Sequence, residues 1–116
     1  MSNGMNALNL STSFVPIFNG ENFEFWSIKM RTFFISQDLW DLVETGYAET
    51  ESSRVVEKSA DLKELRKKDA KALLALQQAV TENIFPWIAN ATKSKDAWTI
   101  LKQEFHGDTK VTTVKL

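Results

Sequence analysis

Cysteine is absent from this 116-residue sequence, histidine occurs once, proline twice and glycine four times. Without cysteine there is no thiol nucleophile, disulfide, iron–sulfur cluster or cysteine-ligated zinc. A lone His106 cannot build a multi-histidine metal site, so neither a metal nor any other cofactor is expected. The scattered glycines supply no phosphate-cradling loop, and one histidine at a helix end supplies no catalytic triad. Long apolar runs are missing as well. Nothing approaches the ~20 residues of a membrane-spanning helix, and residues 1–13 lack the basic start and apolar stretch of a signal peptide. Excess charge of either sign is the last absence: 14 Lys and Arg face 15 Asp and Glu, a net charge of −1. The whole chain is therefore no polyelectrolyte partner for nucleic acid or anionic lipid. These exclusions lead to an expectation of a non-enzymatic, cytoplasmic protein with no small-molecule substrate and no membrane contact.

What the sequence does have is aromatic side chains, eight Phe, four Trp and one Tyr, within an apolar share of 43%. A single domain of this size buries roughly 65% of the surface its unfolded chain exposes, so its core needs no covalent staple. Residues 1–13, rich in Asn and Ser, read as a disordered leader. The segment Phe14-Val15-Pro16-Ile17-Phe18 is held extended by Pro16 and is expected to lie across the body as a strap. A turn follows at 19–22, with Gly20 free to take positive φ and Asn22 placed to cap the next helix.

Helical periodicity then takes over. Trp26, Met30, Phe33 and Phe34 share one face between Phe23 and Ile35, while Phe23, Phe25 and Ile28 widen the apolar arc and imply a helix packed on more than one side. Ser36 is expected to cap a second helix over 37–44, with Leu39, Trp40 and Val43 on one face and Gly46 as its stop. Residues 47–58 read as a polar loop. A long helix is expected from Ala60 to Thr81, its stripe of Leu62, Leu65, Ala72, Leu73, Leu76 and Val80 interrupted by Asp69, with a length of ~33 Å. Within 82–91, Pro86 suits the first turn of a separate short helix. Ser94 is expected to cap a last helix, 95–105, that carries Ala97, Trp98, Leu101 and Phe105 on one face and closes at His106-Gly107. The pattern is all-α: a compact bundle of about five helices, over residues 14–107. Residues 108–116 read as the start of a further element, cut short.

Two strings carry a resemblance. Phe18-Asn-Gly20-Glu-Asn22-Phe23-Glu-Phe-Trp26, continued by Ser27-Ile-Lys-Met30 and Ser36-Gln-Asp-Leu-Trp40-Asp-Leu-Val43, resembles the start of Gag polyproteins of copia-type LTR retrotransposons, especially plant ones. Ala97-Trp98-Thr-Ile-Leu101-Lys-Gln-Glu-Phe105, with Gly107 and Lys110-Val111 behind it, is similar to a later stretch of the same proteins. The resemblance implies a helical fold like a capsid N-terminal domain and a structural role: self-association into virus-like particles that package the element's RNA. It also implies that RNA is gripped by a downstream zinc knuckle, whose Cys and His ligands this chain does not contain. The alternative is a monomeric helical interaction module, a domesticated Gag fragment binding a peptide or partner helix.

Phe18, Gly20, Asn22, Trp26, Trp40, Trp98 and Phe105 stand in the family strings, and the tryptophans among them fall on amphipathic stripes, so each is expected in the core. Trp87, in Phe85-Pro86-Trp87, is read as core with a surface contact as the alternative. Asp69 is read as a helix-edge or hydrogen-bonded residue rather than a catalytic acid. Charge is uneven along the chain: residues 1–60 carry four cationic and eight anionic side chains, residues 61–116 ten and seven. This asymmetry, with the cluster Lys63, Arg66, Lys67, Lys68 and Lys71, could steer head-to-tail contacts between copies or offer a shallow site for RNA phosphates, with Lys63, Lys67 and Lys71 as the candidate contacts. Interleaved Asp61, Glu64 and Asp69 favour a solvated helix face instead.

Overall fold

The computed structural model describes residues 15–48 and 55–106, so the readings of 1–13 and 108–116 lie outside the described residues. Among the described residues five helices follow in chain order: α1 (Phe23–Ser36), α2 (Trp40–Glu44), α3 (Val55–Gln78), α4 (Phe85–Ile88) and α5 (Ser94–Phe105). The fold is all-α, as the periodicity implied. Among the described residues, an isolated parallel bridge between Phe18 and Val80 is the one β pairing.

That bridge is where the strap docks. The Phe18 N–H donates to the Ala79 carbonyl at 2.7 Å, and the Thr81 N–H donates to the Phe18 carbonyl at 3.0 Å. Backbone groups at 79–81 are thereby committed to the strap, and α3 stops at Gln78 rather than at the expected Thr81. Its start is also displaced, to Val55 ahead of Ala60, which shortens the polar loop.

Between strap and α1 the chain reverses through two left-handed residues. Gly20 has φ +103°, and Asn22 has φ 58° and ψ 49°. Asn22 makes no side-chain cap bond, contrary to expectation, because a capping residue needs the extended region and Asn22 is left-handed. Its carbonyl instead accepts the Trp26 N–H at 3.1 Å. A Cβ added at Gly20 would lie 3.3 Å from Ile84 Cδ1 in a backbone region hostile to side chains. Gly20→Ala is therefore expected to lower unfolding free energy by about 1–2 kcal/mol in urea titrations, the usual cost of such a conformation.

Ser36 also takes a different part from the one expected. It is the last residue of α1, and its hydroxyl donates to the Phe33 carbonyl at 2.7 Å. The helix closes through Asp38, at φ 61°. Leu39 N–H donates to the Phe34 carbonyl at 2.8 Å and Asp38 N–H to the Ile35 carbonyl at 3.0 Å. This is the paired-bond C-terminal closure that glycine commonly provides, here built on an aspartate. The left-handed turn pushes the start of α2 from 37 to Trp40. Gly46, at φ +83°, follows α2 as its stop.

The segment 82–91 contracts to a turn and the four-residue α4, with Pro86 in its first turn as expected. Ser94 is the first residue of α5 rather than its cap. Lys93 holds the cap position in an extended conformation without a side-chain cap hydrogen bond, its ammonium lying over the Tyr47 ring instead.

The core forms where these elements meet. Phe18, Met30, Phe34, Val43, Leu76, Ile88 and Leu101 are fully buried. Helix α5 packs against α2, α3 and α4, and α2 bridges α1 and α3. A strap, a long helix and a central α5 together enclose one continuous apolar cluster.

Candidate functional site

Aromatic rings organise the inside of the bundle. Phe18 stacks on Trp26 with ring centroids 5.0 Å apart, and meets Phe23 and Phe105 edge-on at 5.6 and 5.1 Å. Trp98 continues the cluster, 5.6 Å from Trp26 and edge-on to Trp40 at 5.5 Å. Edge-to-face and offset arrangements at these separations add attraction beyond burial alone. Trp26 has a polar duty as well: its indole Nε1–H donates to the Pro16 carbonyl at 3.0 Å. The strap is thus fixed by a side chain of α1 and by the backbone after α3.

The residues of the two family strings therefore divide by place. Phe18, Trp26, Trp98 and Phe105 are buried, Trp40 and Gly20 are partly buried, and Asn22 is exposed. The Arg31 guanidinium lies over the Trp40 ring, 5.5 Å from its centroid. Trp87 is 47% exposed, which corrects its expected place in the core. A single turn of helix buries Ile88 and leaves Phe85 and Trp87 outward, with the Trp87 ring edge-on to Phe105 at 5.5 Å.

Asp69 is the polar feature of the interior. It is buried, and both carboxylate oxygens accept from one residue: Oδ1 from the Ser94 hydroxyl at 2.5 Å and Oδ2 from the Ser94 N–H at 3.1 Å. A carboxylate from α3 thereby supplies the cap that Lys93 does not give α5, and its negative charge complements the helix dipole there. The apolar stripe of α3 is broken at Asp69 because α5 begins opposite that position. Among the described residues no buried side-chain polar atom lacks a partner.

Lys63, Lys67 and Lys71 are exposed on α3, and so are Asp61 and Glu64. Arg66 and Lys68 are exposed there too, and the interleaved Asp61 and Glu64 lower the field that a phosphate would meet. A variant with Lys63, Lys67 and Lys71 all changed to Glu is expected to bind RNA no differently from the unaltered chain in filter-binding assays. His106 closes α5, and its Nδ1 lies 3.3 Å from Glu24 Oε2 on α1, an exposed pair. Among the described residues no three His, Asp or Glu side chains cluster as metal ligands, and no helix is long and apolar enough to cross a membrane.

The outer face of α1 departs from the expectation of a helix packed on more than one side. Phe25, Ile28 and Ile35 are 70%, 60% and 53% exposed, and Ile17 of the strap is exposed beside Phe25. The periodicity had shown the second apolar face without showing that nothing within the described residues covers it.

Comparison with known proteins gives one family. The sequence profile described as gag-polypeptide of LTR copia-type matches residues 30–116. No curated protein and no solved structure matches the chain. Trp40, Trp87, Trp98, Phe105, Lys63, Lys67 and Lys71 lie within the matched span, whereas Phe18, Gly20, Asn22 and Trp26 precede it.

Proposed function

This chain belongs to the gag-polypeptide family of copia-type LTR elements, and on that premise we propose that it is a structural, capsid-type block whose self-association builds the intracellular, RNA-packaging particles of a retrotransposon. The family match over four helices and part of a fifth carries this reading. Several physical features support it. Where it is described, the block has its strap tied to α1 and to the backbone after α3, and its buried polar side-chain atoms are satisfied. A shell of this kind closes by repetition of modest contacts, each weak by itself, and it asks no catalytic group of the subunit. In the same reading RNA is held by a zinc knuckle encoded elsewhere in the reading frame, and the mixed charge of α3 leaves this block to protein contacts. Negative-stain electron microscopy of the product of the whole reading frame is expected to show particles or regular oligomers. Monomers at every salt concentration would overturn the proposal.

A further inference from the structure

Helix α1 is apolar on two opposite sides. Phe23, Trp26, Met30 and Phe34 enter the core, and Phe25, Ile28 and Ile35 face outward. The outward residues, with Thr32 between them, recur at intervals of three, four and three. That is the a/d spacing of a two-heptad seam, which a neighbouring helix fills and an isolated surface has no use for. Thr32 fits such a seam, since its hydroxyl is already spent on the Ile28 carbonyl at 3.0 Å.

Resting on the assembly reading above, we propose that this stripe is a contact between two copies of the chain, whose α1 helices pair in parallel. The flanking charges select that partner and that direction. With Phe25, Ile28, Thr32 and Ile35 as the seam, Glu24 holds a g position and Lys29 the e position that follows in the next half-turn of the pair. Both are exposed. The grouping of their neighbours places them on opposite flanks: Glu24 beside His106 and Lys102, Lys29 beside Pro16 and Ile17. In a parallel pair Glu24 of each copy meets Lys29 of the other, twice over by symmetry. An antiparallel pair in register, Phe25 against Ile35, would instead gather Lys29 and Arg31 of both copies at its centre. Like charges opposed there select against it. The seam is about two heptads long and falls below the area of a permanent dimer, so it is reversible, as a repeated shell contact must be.

The absence of cysteine makes the orientation directly testable. Ile35→Cys puts a single thiol at a position that faces its own copy in the parallel pair and lies about 15 Å from it in the antiparallel one, at 1.5 Å per residue. Mild oxidation of the 116-residue Ile35→Cys chain at up to about 1 mM is expected to give disulfide dimers far faster than Gln103→Cys, an exposed control on α5. Adding Ile28→Glu should slow that dimerisation by about tenfold or more, the effect of uncovering one aliphatic side chain. Near-UV circular dichroism should stay unchanged, since position 28 is at the surface. Glu24→Lys should weaken the pair severalfold and Glu24→Lys with Lys29→Glu should restore it, a check that does not depend on the apolar variant. Equal oxidation rates for Ile35→Cys and Gln103→Cys, or no recovery in the charge swap, would overturn the seam. If the product of the whole reading frame assembles with Ile28→Glu in place, the seam falls and the assembly reading stands. If the unaltered product never assembles, the assembly reading itself falls.

Discussion

Phe18→Ala is expected to lower the free energy of unfolding by about 3–5 kcal/mol, the range for truncating a fully buried aromatic side chain. Phe18 has no solvent exposure, and its ring touches Phe23, Trp26 and Phe105, residues of two different helices. Truncation leaves a cavity between them and takes away the ring that holds the strap in the core, while the backbone bonds to Ala79 and Thr81 remain available. For a small domain, whose whole stability is about 5–15 kcal/mol, that is a large share. Urea unfolding followed by tryptophan fluorescence and far-UV circular dichroism measures it. Phe18→Leu, which keeps most of the volume, should cost about 1–2 kcal/mol. A loss under about 1 kcal/mol in Phe18→Ala would mean that the strap is peripheral rather than part of the core.

The second large effect belongs to Asp69. Asp69→Ala removes both acceptors from the Ser94 hydroxyl and N–H and leaves those donors buried at the start of α5, an expected loss of about 3 kcal/mol. Asp69→Asn retains one acceptor and the shape and should lose about half as much. Ser94→Ala keeps the backbone bond and removes only the hydroxyl, so its cost should be about 1 kcal/mol. If the two side chains act as one clamp, the double variant costs less than the sum of the singles. Native-state hydrogen exchange supplies a local check, because amides in the first turn of α5 should exchange faster in Asp69→Ala. Additive energies, with exchange in α5 unchanged, would contradict the clamp.

Asp69 shows how far the sequence carries a reader. An aspartate breaking an otherwise apolar stripe announces a buried partner. The identity of that partner, Ser94, is set by the crossing of α3 and α5 and by no local pattern. Ser94 itself has the residue type of a cap, yet it is capped rather than capping, since its side chain turns to α3. Elsewhere local rules sufficed. Gly20 and Gly46 take the positive φ that their turns require, and Pro16 keeps the strap extended. The α5 stripe buries the residues that its period selects, and so does that of α1 apart from the partly buried Phe33.

Local rules failed where an unusual residue adopted a glycine-like backbone or where a distant segment claimed backbone groups. Asp38 ends α1 in the left-handed region, which reassigned Ser36 and shortened α2. The strap ended α3 early by bonding to Ala79 and Thr81. Hydrophobicity alone places Trp87 inside, but one turn of helix has too little surface to bury three large residues. The outer stripe of α1 was legible as apolar and its occupant was not, because periodicity reports a face and says nothing of what lies against it.

Aromatic packing and the polar clamp therefore hold the block together, and the proposed seam gives the surplus apolar face of α1 an occupant. Sedimentation velocity of the product of the whole reading frame, run over a range of protein and salt concentrations, bears most directly on the claim that this is an assembly unit. The account expects boundaries that move faster as protein concentration rises and resolve into particles or regular oligomers. A single monomer boundary at every concentration and every salt would contradict it.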